Sequence, residues 1–134
     1  MESNGDMVQN AIDFLKTLSF VAAIFALTTG AAFADNYFGA IAYSRNSGAI
    51  GYSYDHASRS SAEGRAMNEC RAKGRGCKVV LWFKNACGAV AGGSDGWGSG
   101  WGGNRQVAER QATNSCSNYS GGCRVLTWAC TSGR

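Results

Sequence analysis

The sequence holds a single histidine, His56, and its cysteine spacings include no Cys-x-x-Cys pair. A tetrahedral zinc site is therefore a poor fit, although a reducing cytosol would favour metal binding by the cysteines, and no metal is expected. The glycine-rich stretch Gly96-Trp97-Gly98-Ser99-Gly100-Trp101-Gly102-Gly103 is followed by no Gly-Lys-Ser/Thr and sits in no parallel βαβ context. That excludes a phosphate-binding loop. A Ser-His-Asp site needs its groups to converge from separate elements beside an oxyanion hole. His56 instead stands next to Asp55, and neighbours on an extended chain point to opposite sides. Ser53, Ser58, Ser60 and Ser61 lie nearby, but His56 reads as a loop histidine.

What is present begins with an apolar run. Thr17 to Leu27 reads TLSFVAAIFAL without a charge, Lys16 precedes it, and Ala32-Phe33-Ala34 follows. Basic flank, apolar run and A-x-A site are the parts of a signal peptide, with cleavage expected between Ala34 and Asp35. A membrane anchor is the competing reading, but the run is marginal for a span and carries Thr28, Thr29 and Gly30 near its end. Glu2, Asp6 and Asp13 make the segment before the run acidic, which points to Met7 as an alternative start. No cysteine lies near the cut, so a lipid anchor is not expected.

Residues 35–134 then form one domain, whose thin core calls for covalent help. All six cysteines lie in it: Cys70, Cys77, Cys87, Cys116, Cys123 and Cys130. An even count in an exported chain reads as three disulfides. Of thirteen Lys and Arg and nine acids, one base and three acids lie in the leader. The remainder, twelve against six, carries +6. Such a domain favours anionic surfaces, and charge alone does not choose among lipid headgroups, acidic glycans, nucleic acid and acidic proteins.

The two halves of the domain echo each other. Gly39-Ala40-Ile41-Ala42 matches Gly88-Ala89-Val90-Ala91, and Ile50 to Tyr54 matches Trp97 to Trp101. Arg59, Ala62, Glu63 and Ala66 match Arg105, Ala108, Glu109 and Ala112. Cys70, Cys77 and Val79 to Trp82 recur at an offset of 46 as Cys116, Cys123 and Val125 to Trp128, and Cys87 then matches Cys130 after a three-residue deletion. This is an internal duplication, with repeat one over 37–87 and repeat two over 88–130. Each copy reads as ββαβ. A hairpin turns at Arg45-Asn46-Ser47-Gly48 or at Gly92 to Gly96. The first helix has the capping-box spelling Ser60-Ser61-Ala62-Glu63, with Ala62, Ala66, Met67 and Cys70 inward. The second starts at Asn104, with Val107, Ala108, Ala112 and Cys116 inward. Strands follow over Lys78 to Phe83 and Arg124 to Ala129. The expected fold is α+β: two tandem ββαβ repeats with pseudo-twofold symmetry, and two helices on one face of a roughly six-stranded sheet.

Six cysteines permit fifteen pairings. Equivalent residues of a duplicated fold should pair equivalently, which favours Cys70–Cys77 and Cys116–Cys123 across tight helix-to-strand reversals. Cys87–Cys130 would then join the two copies. Spacing constrains this only weakly, and a Cys70–Cys116 link is the arrangement that would contradict it.

These motifs resemble those of bacterial exported proteins carrying the domain of unknown function 4189. The resemblance rests on Gly39 to Ala42, the Ala49 to Tyr54 strand, Ser58-Arg59 with Ala62-Glu63, and Cys77 to Ala89. Gly96-Trp97-Gly98 and Cys123 to Cys130 complete it. It implies export and the extent of the fold, and it brings no catalytic residues. Members occur in environmental and host-associated bacteria, and some resemble candidates for secreted effectors.

Glu63 and Glu109 are a symmetric carboxylate pair, but both fall in the first turns of helices, where an acid complements the dipole. No catalytic residue and no cofactor are expected. The binding candidates are Trp97, Ser99 and Trp101, which share one face of a strand between accessible glycines. Their rings suit a sugar or a peptide, and the competing reading places them in the core in place of Ile50 and Tyr54. Arg71, Lys73, Arg75 and Lys78 crowd the first helix–strand loop as a solvated loop or an anion-binding patch. Trp82 and Trp128 recur in both copies and are assigned to packing. The function that follows is an exported, disulfide-stabilised binding module with an unidentified protein or glycan ligand. A host protein or an anionic surface is a further candidate partner, and nucleic acid is not the expected one. The alternatives are an effector acting on a host cell and a small hydrolase.

Overall fold

The computed structural model describes residues 35–133, and the expected leader and its cleavage site lie outside them. The element order is β1 (Phe38–Tyr43), β2 (Ile50–His56), α1 (Arg59–Arg71), β3 (Lys78–Lys84), β4 (Cys87–Gly92), β5 (Trp97–Gly102), α2 (Arg105–Ser117) and β6 (Arg124–Cys130). The duplicated ββαβ unit is therefore present. All strand pairs are antiparallel. Among the described residues no helix is long and apolar enough to cross a membrane.

The six strands form two three-stranded sheets, β2-β1-β3 and β5-β4-β6, rather than one six-stranded sheet. The physical reason lies in the central strands. β4 reads CGAVAG and is buried at all six positions. Such a strand needs a cover on both faces, and one helix supplies only one. In β1, Ala40 and Ala42 pack with Ala62, Ala66 and Cys70 of α1. In β4, Cys87, Ala89 and Ala91 pack with Ala108, Ala112 and Cys116 of α2. The alternate residues Ile41 and Val90 meet in a third cluster with Phe83, Ala86 and Ala129, between the sheets. The order of layers is thus helix, sheet, sheet, helix.

Both helix faces are stripes of alanine and cysteine, which lets the backbones approach closely. A Cβ on Gly51 would lie 2.1 Å from the Ala66 carbonyl oxygen, and one on Gly98 2.2 Å from the Cys116 nitrogen. Between the sheets the Phe83 ring lies within 2.6 Å of both the Cβ position of Gly39 and that of Gly88. β3 and β6 each carry a bulge at the same place. Val80 and Leu126 are the extra residues, and both turn into the inter-sheet cluster. The consecutive apolar residues of these strands follow from that bulge.

Helix α1 is capped by Ser58, whose Oγ accepts from the Ser61 amide at 3.1 Å, so the capping-box spelling at Ser60 does not mark its start. Asn104 caps α2 by accepting from the Val107 amide at 2.9 Å. Neither helix has an acid in its first turn. Glu63 and Glu109 instead accept from the guanidinium groups of Arg59 and Arg105, one turn earlier, at 2.6 and 2.7 Å.

The disulfides are Cys70–Cys77, Cys116–Cys123 and Cys87–Cys130. The first two close the reversals from helix to strand, with equal Cα separations of 6.1 Å. The third corrects the expectation that it joins the copies. Cys87 opens β4 and Cys130 ends β6, and the two are direct cross-strand partners within the second sheet. The copies are instead tied by hydrogen bonds. The Asp55 carboxylate accepts from the Ser132 amide at 2.7 Å and from the Ser132 hydroxyl. Thr131 donates to the Ala86 carbonyl through its amide at 3.0 Å and its hydroxyl at 3.1 Å, which extends the β4–β6 pairing beyond Cys87 and Cys130.

Candidate functional site

The pseudo-twofold places the outer strand of each sheet beside an edge strand of the other, and a groove runs along each such border. One groove, of about 460 Å³, is lined by Val80 to Lys84 of β3 and by Trp101 of β5. Its counterpart, of about 470 Å³, is lined by Leu126 to Cys130 of β6 and by Tyr52 and Tyr54 of β2. Trp101 and Tyr54 occupy equivalent positions and are the large apolar side chains most open to solvent in their grooves, at 59% and 53%.

Trp82 and Trp128 do not lie in the core. They are 41% and 40% exposed, because they stand on edge strands whose helix covers the other strands more closely. Each ring is covered by an arginine instead. The Arg59 guanidinium sits 4.5 Å from the Trp82 centroid and that of Arg105 4.0 Å from Trp128. Since each arginine also binds its glutamate, both copies carry the same Glu–Arg–Trp stack from helix to edge strand. Trp82→Ala is accordingly expected to cost about 1–2 kcal/mol, well under the roughly 3–5 kcal/mol of a buried tryptophan. Denaturant titration measures it, and a loss in the buried range would mean that the ring carries the core after all.

The binding candidates of the second hairpin divide. Trp97 is half-buried, packs against the inter-sheet cluster and meets Tyr43 edge-on at 6.1 Å between centroids. Trp101 faces solvent. Ser99 lines a recess of about 450 Å³ with Trp97, Ser115 and Tyr119. Arg71, Lys73 and Arg75 are exposed on the α1–β3 connection. Lys78 leaves that group and lines a smaller recess with Tyr43, Arg45 and Trp97. Trp82, Lys84, Tyr54 and Arg45 were not singled out as binding residues. The exposure of Trp82 depends on β3 being an edge, which its repetition in the sequence concealed.

His56 and Asp55 serve different partners. His56 Nδ1 is 2.7 Å from Ser61 Oγ, while the Asp55 carboxylate is turned to Ser132. Asp55 takes a left-handed backbone, φ 58°, at the end of β2, and this turns its side chain away from the histidine. The described residues contain no group of three or more His, Cys, Asp or Glu placed to hold a metal ion.

Comparison with known proteins agrees with this architecture. A family described as Domain of unknown function (DUF4189) matches over residues 38–130. No curated protein matches the chain. The chain is similar to a solved structure, the NMR structure of Rv1813c from Mycobacterium tuberculosis, with 33% identity and a TM-score of 0.53. The similarity covers 70% of this chain and 74% of that one.

Proposed function

Because the chain belongs to this family, defined by a domain of unknown function, we propose that it is an exported binding module that holds a protein segment in the groove between β3 and Trp101. Three disulfides support an oxidising compartment outside the cytoplasm, and the leader signature of the first 34 residues supports export.

The observation that carries the reading is Trp101, an indole 59% exposed on a strand fixed between β4 and α2. Gly100 and Gly102, its neighbours, press against α2, so the strand holds the ring in place without a flexible arm. A rigid exposed aromatic loses little entropy on binding, which is why such residues anchor interfaces. The chemistry of the lining favours a protein segment over a glycan. Among the described residues its side-chain donors are Lys84 and the indole N–H groups of Trp82 and Trp101, with no side-chain acceptor, whereas a sugar presents several hydroxyls that need partners of both kinds. Backbone groups along the edge of β3 can instead serve an extended peptide.

Trp101→Ala is expected to leave the melting temperature within a few degrees of the parent and to weaken partner binding by about 1–3 kcal/mol. The comparison is made by parallel capture from periplasm and culture supernatant, followed by titration of the recovered protein against both forms. Equal recovery and equal affinity would remove the groove as the binding site.

A further inference from the structure

We infer that a second site, separate from the groove, recognises an oxyanion carried on a flat ring. It is a recess of about 240 Å³ at the end of the inter-sheet layer, lined by Tyr43, Arg45, Asn46, Lys78, Val80 and Trp97. It draws its two cations from different elements. Arg45 comes from the β1–β2 turn and Lys78 from the first residue of β3. Neither has a carboxylate within ion-pair distance, since the pairs among the described residues are Arg59–Glu63 and Arg105–Glu109. Among the described residues the Arg45 guanidinium makes one hydrogen bond, from Nη2 to the Ser94 carbonyl at 3.2 Å, which orients it. Asp95 lines an adjoining recess that shares Arg45 and Trp97, and its carboxylate accepts from the Ser94 hydroxyl at 3.0 Å rather than pairing with Arg45.

The walls are built. The hydroxyls of Ser44 and Ser47 donate to the Arg75 carbonyl at 2.5 and 2.9 Å and clamp the basic loop onto the turn that carries Arg45. Gly76, in a left-handed conformation at φ 77°, then leads the chain into Lys78. Tyr43 and Trp97, one from each sheet, form an edge-on aromatic floor. A planar guanidinium fork and an ammonium beside two rings match a phosphate, sulfate or carboxylate group joined to an aromatic body.

The duplication shows that the fold does not require three of these residues, while the positive charge of Lys78 recurs as Arg124. At the places of Tyr43, Arg45 and Trp97 the other copy has Gly92, Ser94 and Ile50. The recess is thus a departure from the symmetry, and it joins the basic loop and the tryptophan hairpin at one point.

The test uses the full, oxidised chain and two-dimensional NMR. The probes are phenyl phosphate, inorganic phosphate and phenol, together with phosphatidylglycerol and phosphatidylcholine vesicles. Phenyl phosphate is expected to shift the Trp97 indole and Arg45 Nε signals together, more strongly than phosphate, with no response to phenol. Arg45→Ser and Lys78→Gln should each weaken it by roughly tenfold, as expected for a lost hydrogen bond to a charged group. Trp97→Ile should erase the advantage of phenyl phosphate over phosphate. Binding of phosphatidylglycerol vesicles that Arg45→Ser also weakens would show that the recess takes a phosphodiester without a ring and would overturn the ring requirement, whereas binding of the soluble aromatic probe alone would support it. Shifts confined to Arg71, Lys73 and Arg75, or affinities indifferent to Arg45→Ser and Lys78→Gln, would overturn the inference.

Discussion

Alanine at Gly98 or Gly100 is expected to destabilise the domain by about 3 kcal/mol each, the upper end of the usual cost of overpacking. A Cβ at Gly100 would sit 2.4 Å from the Ala112 nitrogen and 2.6 Å from the Ala108 carbonyl oxygen. At Gly98 it would sit 2.2 Å from the Cys116 nitrogen. These are backbone atoms of α2, which no rotamer change can move. The helix would have to lift off β5, and the contacts of Ala108, Ala112 and Cys116 would loosen together. Alanine adds too little surface to offset that loss, since a methylene buries only about 0.8 kcal/mol. The contrasting substitution is Gly64→Ala in α1, where nothing lies within 4 Å of the added carbon. It should stabilise by up to about 1 kcal/mol through helix propensity. Denaturant midpoints at unchanged slope measure all three. A Gly100→Ala protein as stable as the parent would mean that the helix rests on the sheet less closely than described.

Reduction of the three disulfides is expected to unfold the domain at 37 °C. Cys87–Cys130 spans 43 residues, and the two helix-to-strand links span 7 each. In the chain-entropy picture these closures contribute about 4 kcal/mol and about 2 kcal/mol each. Their total is comparable to the whole stability of a typical domain, about 5–15 kcal/mol. The helix–sheet interfaces here are made largely of alanine, which adds little burial to compensate. The near-ultraviolet circular dichroism, rich in tryptophan signal, should collapse on reduction. The paired substitution of Cys87 and Cys130 by alanine should cost more than that of Cys70 and Cys77. The reverse order would show that the short links act by holding the helices in place rather than by restricting the unfolded chain.

The glycine and tryptophan positions show where a linear reading stops. Gly100 and Gly103 look alike in the sequence, yet one faces a helix backbone at 2.4 Å and the other has nothing within 4 Å. Trp82 and Trp128 suggested packing because they recur. Recurrence marks a shared structural role, and that role is a half-exposed ring held by arginine at a sheet edge. Glu63 lies beyond the first turn because the actual cap, Ser58, is two residues before Ser60, and Glu109 lies five residues after its cap, Asn104, also beyond the first turn. The recess around Arg45 gave no signal of its own, since an arginine in a turn cluster reads as solvated.

The sequence by itself determined the duplication, the ββαβ order of each copy, the inward alanine stripes of both helices and the Asn104 cap. These are local or periodic properties, set by turn residues, helical spacing and the repetition itself. The division into two stacked sheets, the place of Cys87–Cys130 within one of them and the splitting of Trp97 from Trp101 were decided only by the tertiary structure. β1 and β4 are buried on both faces, and strand periodicity shows that a second face is covered without showing by what. Here the cover is the other copy of the repeat. The border between the two sheets, with its grooves and the cationic recess, exists only once they have met.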